Sequence, residues 1–135
     1  MIRRDEEGSV LLLTIGYALL ALVLVFVSVD ATSLYLAHKR TQAAADAAAL
    51  AGADGFTLDL VGDQPRAQLT DEGVREQAEA IVAVEDDVTL VTAGSPDGVS
   101  ARVTVSTTWH PPISSLFVPA GVVLDATATS RTALD

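Results

Sequence analysis

The residues of this sequence most able to do chemistry are two histidines, three consecutive acids and scattered serines. His38 and His110 have no cysteine and no second histidine at helical spacing, the partners that commonly complete a zinc site. Glu85, Asp86 and Asp87 could contact calcium, but they lack the spread ligands of a calcium loop, and an acidic turn is the simpler interpretation. The sequence has no glycine-rich phosphate loop and no G-x-S-x-G motif. We therefore expect no catalytic residue, no cofactor and no metal site, and no enzyme.

The acidic charge belongs to the second part of the chain. Residues 1–40 contain equal numbers of basic and acidic residues, so the formal net charge of −10 falls on residues 41–135. Phosphate recognition needs a concentrated positive surface, so we expect no nucleic-acid partner, and no small-molecule substrate is indicated. The acidic surface suits a domain held away from an anionic membrane, with a cation or basic partner as the alternative.

A run of twenty uncharged, mostly apolar positions, residues 10–29, dominates the sequence. At about 1.5 Å per residue a helix over this run is about 30 Å long, which matches the hydrocarbon core of a bilayer. We predict a transmembrane helix. A buried core helix is one alternative, but the remaining chain has too little apolar surface to surround it. A cleaved secretory signal is the other, although its apolar region is usually only about 7–15 residues long.

Charged residues at the two ends of the run bear on its orientation and contacts. Arg3 and Arg4 precede it, and Lys39 and Arg40 follow it, so the positive-inside rule finds two cations on each side. Asp30 directly follows the run and is expected at the membrane interface. The functional alternative for Asp30 is pairing with a basic group on another membrane helix.

An alanine-rich segment extends the helical pattern beyond the apolar run. Residues 31–51 contain no proline or glycine, so we predict one continuous helix over about residues 9–52. Ala44, Ala48 and Gly52 recur every four residues and share a face on which backbones approach closely. This face packs either on the chain's own small domain or on a neighbouring subunit.

The rest of the sequence predicts a small α+β domain, in which a helix packs on an antiparallel sheet. Residues 57–73 are polar and contain glycine and proline, so they predict a loop. Residues 71–84 predict a second helix, because apolar residues recur along one face. Period-two alternation predicts three strands, over residues 88–92, 99–109 and 121–132.

The predicted loop between the last two strands contains three prolines and large apolar residues. Trp109, Leu116 and Phe117 lie in or beside it, and we expect them, with Asp30, to be candidate contacts for a partner. A tethered binding module that recognises a ligand through residues 109–117 is therefore one functional hypothesis. The alternative is that these side chains belong to the core of the domain.

Three stretches of the sequence carry a family resemblance: GSV at residues 8–10, VDATSLYL at residues 29–36 and TQAAADAAALA at residues 41–51. Over about residues 8–55 the chain closely resembles the amino-terminal domain of the TadE/TadG-like proteins of bacterial Flp (tight adherence) pilus assembly, with the actinobacterial branch nearest. Residues 111–112 and 116–117, before the last predicted strand, are similar to the same family more loosely.

The resemblance implies a pilin-like or pseudopilin-like protein with a cytoplasmic amino terminus and its domain outside the plasma membrane. Prepilin peptidases cut after a glycine just before the apolar run, here Gly8, which would leave Ser9 as the first residue. Polymerising pilins usually place glutamate at the fifth residue after that glycine, where this chain has Leu13. We therefore expect a minor pilin or an assembly factor, whose partners are membrane lipid and other Tad/Flp pilus-assembly proteins.

The chain is accordingly expected to have four parts, listed here in order: a short cytoplasmic leader, residues 1–8; a transmembrane helix, residues 9–30; an alanine-rich extracytoplasmic extension, residues 31–55; and a small extracytoplasmic α+β domain, residues 56–135.

Overall fold

The first helix runs unbroken from the leader into the domain. A computed structural model describes residues 3–133, with side chains for residues 6–133. Helix α1 is Arg3–Asp54, 52 residues, and is therefore about 78 Å long. The predicted continuous helix is confirmed, and it begins six residues earlier than expected because nothing in residues 3–8 interrupts it. Met1 and Ile2 of the predicted leader, and the side chains of Arg3 and Arg4, lie outside the described residues.

The apolar run has no cover from the rest of the chain. Every side chain from residue 10 to residue 29 is exposed. Helix α1 is long enough and apolar enough to cross a membrane. The alternative of a buried core helix is therefore wrong, because none of the side chains in the run is buried within the described residues. In water such a surface would be unfavourable, so the helix is a candidate membrane anchor.

A β-hairpin replaces the loop predicted for residues 57–73. Strand β1 is Thr57–Val61 and strand β2 is Gln64–Gln68, paired antiparallel. The connecting turn needs only Gly62 and Asp63, and Gly62 has the positive φ of 72° that such a tight turn favours. The loop prediction was wrong because both strands are almost wholly exposed. Neither strand has a buried face, so burial imposes no alternation of apolar and polar residues on its sequence.

Helix α2 is Asp71–Val82, close to the predicted range. Thr70 is its N-cap, and the Thr70 hydroxyl accepts a 3.1 Å hydrogen bond from the Gly73 backbone N–H. Val74, Ala78 and Val82 form its buried face, as their spacing predicted. The helix ends two residues early, and residues 85–87 form an exposed acidic turn.

The predicted three-stranded sheet is confirmed. Its strands are β3, Val88–Gly94, β4, Ser100–Trp109, and β5, Val122–Arg131, in the order β3-β4-β5 with antiparallel pairing throughout. A single 3-10 turn, Ser114–Leu116, lies in the connection from β4 to β5. The outer half of α1 packs against α2, β4 and β5, so the domain is an α+β arrangement with one central helix.

The core is built from small side chains, which bring α1 close to its neighbours. Five α1 alanines are buried, at positions 44, 45, 48, 49 and 53. Among the described side chains the largest that are fully buried are Val74, Val103, Val105 and Thr41. A Cβ added at Gly52 would lie 2.9 Å from Val74 Cγ1 and 3.2 Å from Ala101 Cβ. The close approach of α1, α2 and β4 therefore needs glycine at position 52.

Asp97 organises the turn between β3 and β4. Asp97 Oδ1 accepts hydrogen bonds from the Val99 N–H at 3.0 Å and the Ser100 N–H at 2.6 Å, and Oδ2 accepts one from the Ser100 hydroxyl at 2.9 Å. The Val99 N–H, the Ser100 donors and the positive charge of Arg131 lower the pKa of the Asp97 carboxyl, against a smaller opposing effect of desolvation.

Candidate functional site

The end of the apolar run and the β4–β5 connection meet at one place, which we call the junction: Asp30 and Ser33 of α1, Trp109 of β4, and residues 113–117. Asp30 Oδ1 accepts a 3.1 Å hydrogen bond from the Ile113 N–H, and Asp30 Oδ2 accepts one of 2.6 Å from the Ser114 hydroxyl. These are charge-assisted hydrogen bonds, which are stronger than neutral ones. Both carboxylate oxygens of Asp30 therefore have partners in the chain's own domain.

The Asp30 contacts explain how the junction is held. The 3-10 turn begins at Ser114, directly after Ile113, so Asp30 accepts one backbone and one hydroxyl hydrogen bond at the start of that turn. The sequence predicted an interfacial Asp30, with a basic group on another membrane helix as its alternative partner. Within the described residues Asp30 has a backbone N–H and a hydroxyl as partners, and pairing with a basic group on another chain stays a prediction.

Trp109 forms the second connection between α1 and the domain. Its indole Nε1–H donates a 3.0 Å hydrogen bond to the Ser33 hydroxyl, and its ring is half-buried. The ring lines a groove along α1 together with Val29, Thr32 and Leu36. Asp30 and Ser33 lie on the same side of α1, three residues apart, so the two contacts fix the domain to one helix face.

Leu116 and Phe117 lie at the exposed tip of the connection. Leu116 is 88% exposed and Phe117 is 87% exposed, so neither belongs to the core. Phe117 also lines an open cleft of about 580 Å³ beside α1, together with Val23, Phe26 and Val27. The structure therefore brings Asp30, Trp109 and the loop tip together at one end of the domain.

A row of polar residues on α1 was missed at the sequence level. Ser33 accepts the hydrogen bond from Trp109. The buried Thr41 hydroxyl donates a 2.9 Å hydrogen bond to the Ala37 carbonyl oxygen and is hydrogen-bonded at 2.8 Å to the Thr107 hydroxyl on β4. Asp30, Ser33 and Thr41 follow the three- and four-residue spacing of one helix face. That spacing was the available signal, and it continues directly into the small-residue face.

The small-residue face lies inside the chain's own domain. Ala44 is 8% exposed, Ala48 is fully buried, and Gly52 is in contact distance of α2 and β4. Of the two alternatives, packing on the small domain is what the structure shows for these three residues. Ala43 and Ala47, on the neighbouring face, remain exposed.

Gly8 and Ser9 are exposed within the first turns of α1. A Cβ added at Gly8 would meet no atom within 4 Å. Glycine inside a helix costs about 1 kcal/mol relative to alanine. The packing of this chain therefore gives no reason for glycine at position 8.

The side chains of the junction are one carboxylate, hydroxyls, an indole and apolar groups, and the contacts they make are structural. In the part of the chain that the structure describes, no three His, Cys, Asp or Glu side chains converge as metal ligands would. Residues 85–87 are exposed, and Asp87 adopts a positive φ of 68°, as an acidic turn allows. The arrangement is suited to holding two parts of the chain in a defined orientation.

Comparison with known proteins gives one match. Residues 8–55 match the model of the TadE/G-like Flp pilus-assembly family. The match ends one residue after α1, so it covers the apolar run and the alanine-rich half and leaves the small domain outside. It does not distinguish an actinobacterial branch. Neither the curated proteins nor the solved structures include a match to the chain.

Proposed function

We propose, from the match of residues 8–55 to the TadE/G-like Flp pilus-assembly family, that this chain is a membrane-anchored minor component of Tad (Flp) pilus assembly or a related secretion apparatus. The observation that carries the proposal is the coincidence of the matched segment with a single helix, α1. One half of α1 is uncovered and apolar, and the other half is the central helix of a small domain. The protein acts structurally, by placing that domain at a set position relative to the membrane.

The proposed location is the plasma membrane, crossed once, with the amino terminus in the cytoplasm. The cations on the two sides of the apolar run are equal in number, so the family match is what favours this orientation. In this orientation residues 41–135, which carry the net charge of −10, lie outside the cell. An acidic domain is repelled by anionic lipid headgroups and stays clear of them wherever no apolar contact opposes the repulsion.

The rigid course of α1 supports a structural role. About 36 Å of helix separates Asp30 from Asp54, and no break interrupts it. The Asp30 and Trp109 contacts connect the domain to the helix near the membrane end, and the alanine core connects it along the outer half. The domain therefore moves with α1 as one body.

Processing after Gly8 is part of the proposal. Gly8 is exposed, and no neighbouring atom requires its small size. Packing therefore does not explain a glycine at this position, whereas recognition by a peptidase does. Leu13, 61% exposed, stands where polymerising pilins carry glutamate, and this favours a minor subunit over the bulk of a filament. Mass spectrometry of the mature amino terminus tests the step: a terminus at Ser9 supports it, and an intact terminus in native membranes contradicts it.

Contacts with other pilus proteins are expected on surfaces that the domain leaves free. Because Ala44, Ala48 and Gly52 are buried in the chain's own core, partner contact falls to the apolar run and to the exposed Ala43 and Ala47. Small exposed side chains at this spacing permit close approach of a second helix. This partner face is a proposal that follows from which residues the domain covers.

Affinity capture from mild detergent extracts of the native host tests the whole proposal. Capture of the full-length chain should recover other Tad pilus-assembly proteins. The test variant has Ala43 and Ala47 both changed to leucine. These changes enlarge the side chains on the exposed face of α1 and leave its buried face intact. Recovery that falls in this variant supports the proposed face, and repeated recovery of the chain alone in both samples contradicts a role in the assembly.

A tethered binding module is the second candidate function. The observation that favours it is the exposure of Leu116 and Phe117, since large apolar side chains at a loop tip commonly mark an interaction site. Double substitution of both residues by alanine should abolish ligand binding without changing the unfolding temperature. Unchanged ligand binding by this variant would end this alternative.

A further inference from the structure

We propose that the loop of residues 113–118 inserts its tip, Leu116 and Phe117, into the outer leaflet of the lipid bilayer. The interfacial loop, as we call it, would then set the rotation and tilt of the domain on the membrane. This inference rests on the membrane anchor in the proposed function and adds a second, shallower contact with lipid.

The first argument is the height of the loop along α1. Asp30 is the first residue after the apolar run, and its carboxylate holds both Ile113 and Ser114 by hydrogen bonds of 3.1 and 2.6 Å. A helix that spans the hydrocarbon with residues 10–29 places Asp30 at the membrane boundary. The interfacial loop is therefore held at that same boundary.

The second argument is the direction in which the tip points. Phe117 shares a cleft with Val23, Phe26 and Val27, which precede Asp30 by three to seven residues. On a helix this is a distance of about 4–10 Å toward the middle of the bilayer. The cleft also includes Asp30, Ala31 and Leu34, so the space that Phe117 lines extends from the boundary at Asp30 to helix residues that lie within the hydrocarbon.

The third argument is the chemistry of this end of the domain. The sequence from residue 103 to residue 124 has no lysine, arginine, aspartate or glutamate, although the domain as a whole is strongly acidic. Val122 pairs with Trp109 at the same end of the sheet, and Val122 and Val123 are 41% and 63% exposed. An uncharged loop with exposed apolar side chains beside an indole suits the lipid interface, which favours amphipathic rings. The acidic turn of residues 85–87 lies next to it, on the β3 side, where it lines a cleft with Trp109 and His110.

Lipid is the occupant that these observations favour over a protein. The tip is continuous with the surface of α1 that lipid would cover, because Phe117 and Phe26 line one open cleft. A protein partner at this position would have to replace lipid on both the loop and the helix. The apolar surface of the tip lies where lipid is already present, so no partner is required to cover it.

Site-directed spin labelling of the full-length chain in nanodiscs of phosphatidylcholine and phosphatidylglycerol tests the inference. The sequence has no cysteine, so single cysteines can be introduced without further change. Leu116→Cys and Phe117→Cys report on the tip, and because both side chains are highly exposed the substitutions remove no core packing. Val27→Cys reports on the membrane span. Leu60→Cys is the matched control, because Leu60 is a 76% exposed leucine in the β1–β2 hairpin.

Leu60 is a suitable aqueous reference on geometric grounds. It follows the end of α1 by six residues, which reach at most about 20 Å, whereas Asp54 lies about 36 Å beyond Asp30. Collisions with oxygen report lipid, and collisions with a water-soluble nickel complex report solvent. At positions 116 and 117 we expect high oxygen and low nickel accessibility, as at Val27, and the opposite at Leu60.

The possible outcomes separate this inference from the proposed function. Nickel accessibility at 116 and 117 equal to that at Leu60, with Val27 in lipid, overturns the interfacial loop and leaves the anchor intact. Low accessibility to both reagents at 116 and 117 shows a protein occupant and also overturns the inference. High nickel accessibility at Val27 itself overturns the membrane anchor, and the interfacial loop with it.

Discussion

The carboxylate of Asp30 accepts a 2.6 Å hydrogen bond from the hydroxyl of Ser114, a residue 84 positions later in the chain. With the 3.1 Å bond from the Ile113 N–H, this contact joins the end of the apolar run to the loop between β4 and β5. The contact converts two predicted features, an interfacial acid and an apolar loop, into one structural unit. The position of this loop relative to the apolar run therefore depends on a single side chain of α1.

Asp30→Ala should free the loop. The Ile113 N–H and the Ser114 hydroxyl lose their acceptor, so the Ile113 amide is expected to exchange with deuterium faster than in the unaltered chain. Hydrogen exchange in detergent micelles, read by mass spectrometry, measures this. Glu76→Ala, which removes an exposed acid from α2, is the control. Unchanged exchange in peptides covering residue 113 would show that the hydrogen bond is not formed in solution.

The Trp109–Ser33 hydrogen bond should appear as a coupling energy. Trp109→Phe and Ser33→Ala each remove one partner, and the double variant should be more stable than the sum of the single effects predicts. We expect a coupling of about 0.5–1.5 kcal/mol, the usual net contribution of such a hydrogen bond. Thermal unfolding of all four proteins in the same micelles gives the value. Strictly additive effects would contradict the contact.

Gly52→Ala should destabilise the domain. The added methyl group would lie 2.9 Å from Val74 Cγ1 and 3.2 Å from Ala101 Cβ, so α1, α2 and β4 must separate. The expected loss is about 1–3 kcal/mol, typical of an overpacked core. Gly16→Ala is the matched control within α1, because no atom lies within 4 Å of a Cβ there. Equal unfolding temperatures for the two variants would exclude close packing at position 52.

Asp97 should make stability depend on acid pH. Its pKa is lowered in the folded state from the ordinary value of 3.8, so the ionised form binds the turn more strongly than the protonated form. The stabilisation is therefore fully present at pH values above 3.8 and is lost as pH falls through the lowered pKa.

Unfolding temperatures measured from neutral pH down to strongly acid pH, for the unaltered chain and for Asp97→Asn, test this dependence. The variant should be the less stable protein at neutral pH, and the difference should shrink in acid. Asp63→Asn, in the exposed hairpin turn, serves as the control and should follow the unaltered chain. A difference between Asp97→Asn and the unaltered chain that stays constant with pH would show that the carboxylate does not act through its charge.

Trp109 offers a test of membrane placement without any substitution. It is the only tryptophan in the sequence, and it lies beside Ser33 near the boundary of the apolar run. Lipids brominated near the headgroup should quench its fluorescence more than lipids brominated near the chain ends, because indole favours the interface. Quenching by neither lipid would place Trp109 away from the bilayer.

Several elements were predictable because their signals are local. The apolar run needs only composition and length, α2 shows its buried Val74, Ala78 and Val82 at helical spacing, and the β4 alternation places Val103 and Val105 on the buried face. These patterns reflect which side of one helix or strand meets the core, and that information is contained in a few neighbouring residues. The β1–β2 hairpin was not predictable in the same way, because its strands are exposed and carry no such signal.

The sequence by itself thus determined that an uncharged helix long enough for a bilayer leads into a small acidic α+β domain. Only the tertiary structure decided that Ala44, Ala48 and Gly52 serve that domain's own core, and that Asp30 binds the β4–β5 loop. The reason is physical: periodicity defines which residues share a face, whereas the element opposite that face depends on how α1 lies across the sheet. Contacts between residues about eighty positions apart arise from that packing and leave no local pattern in the sequence.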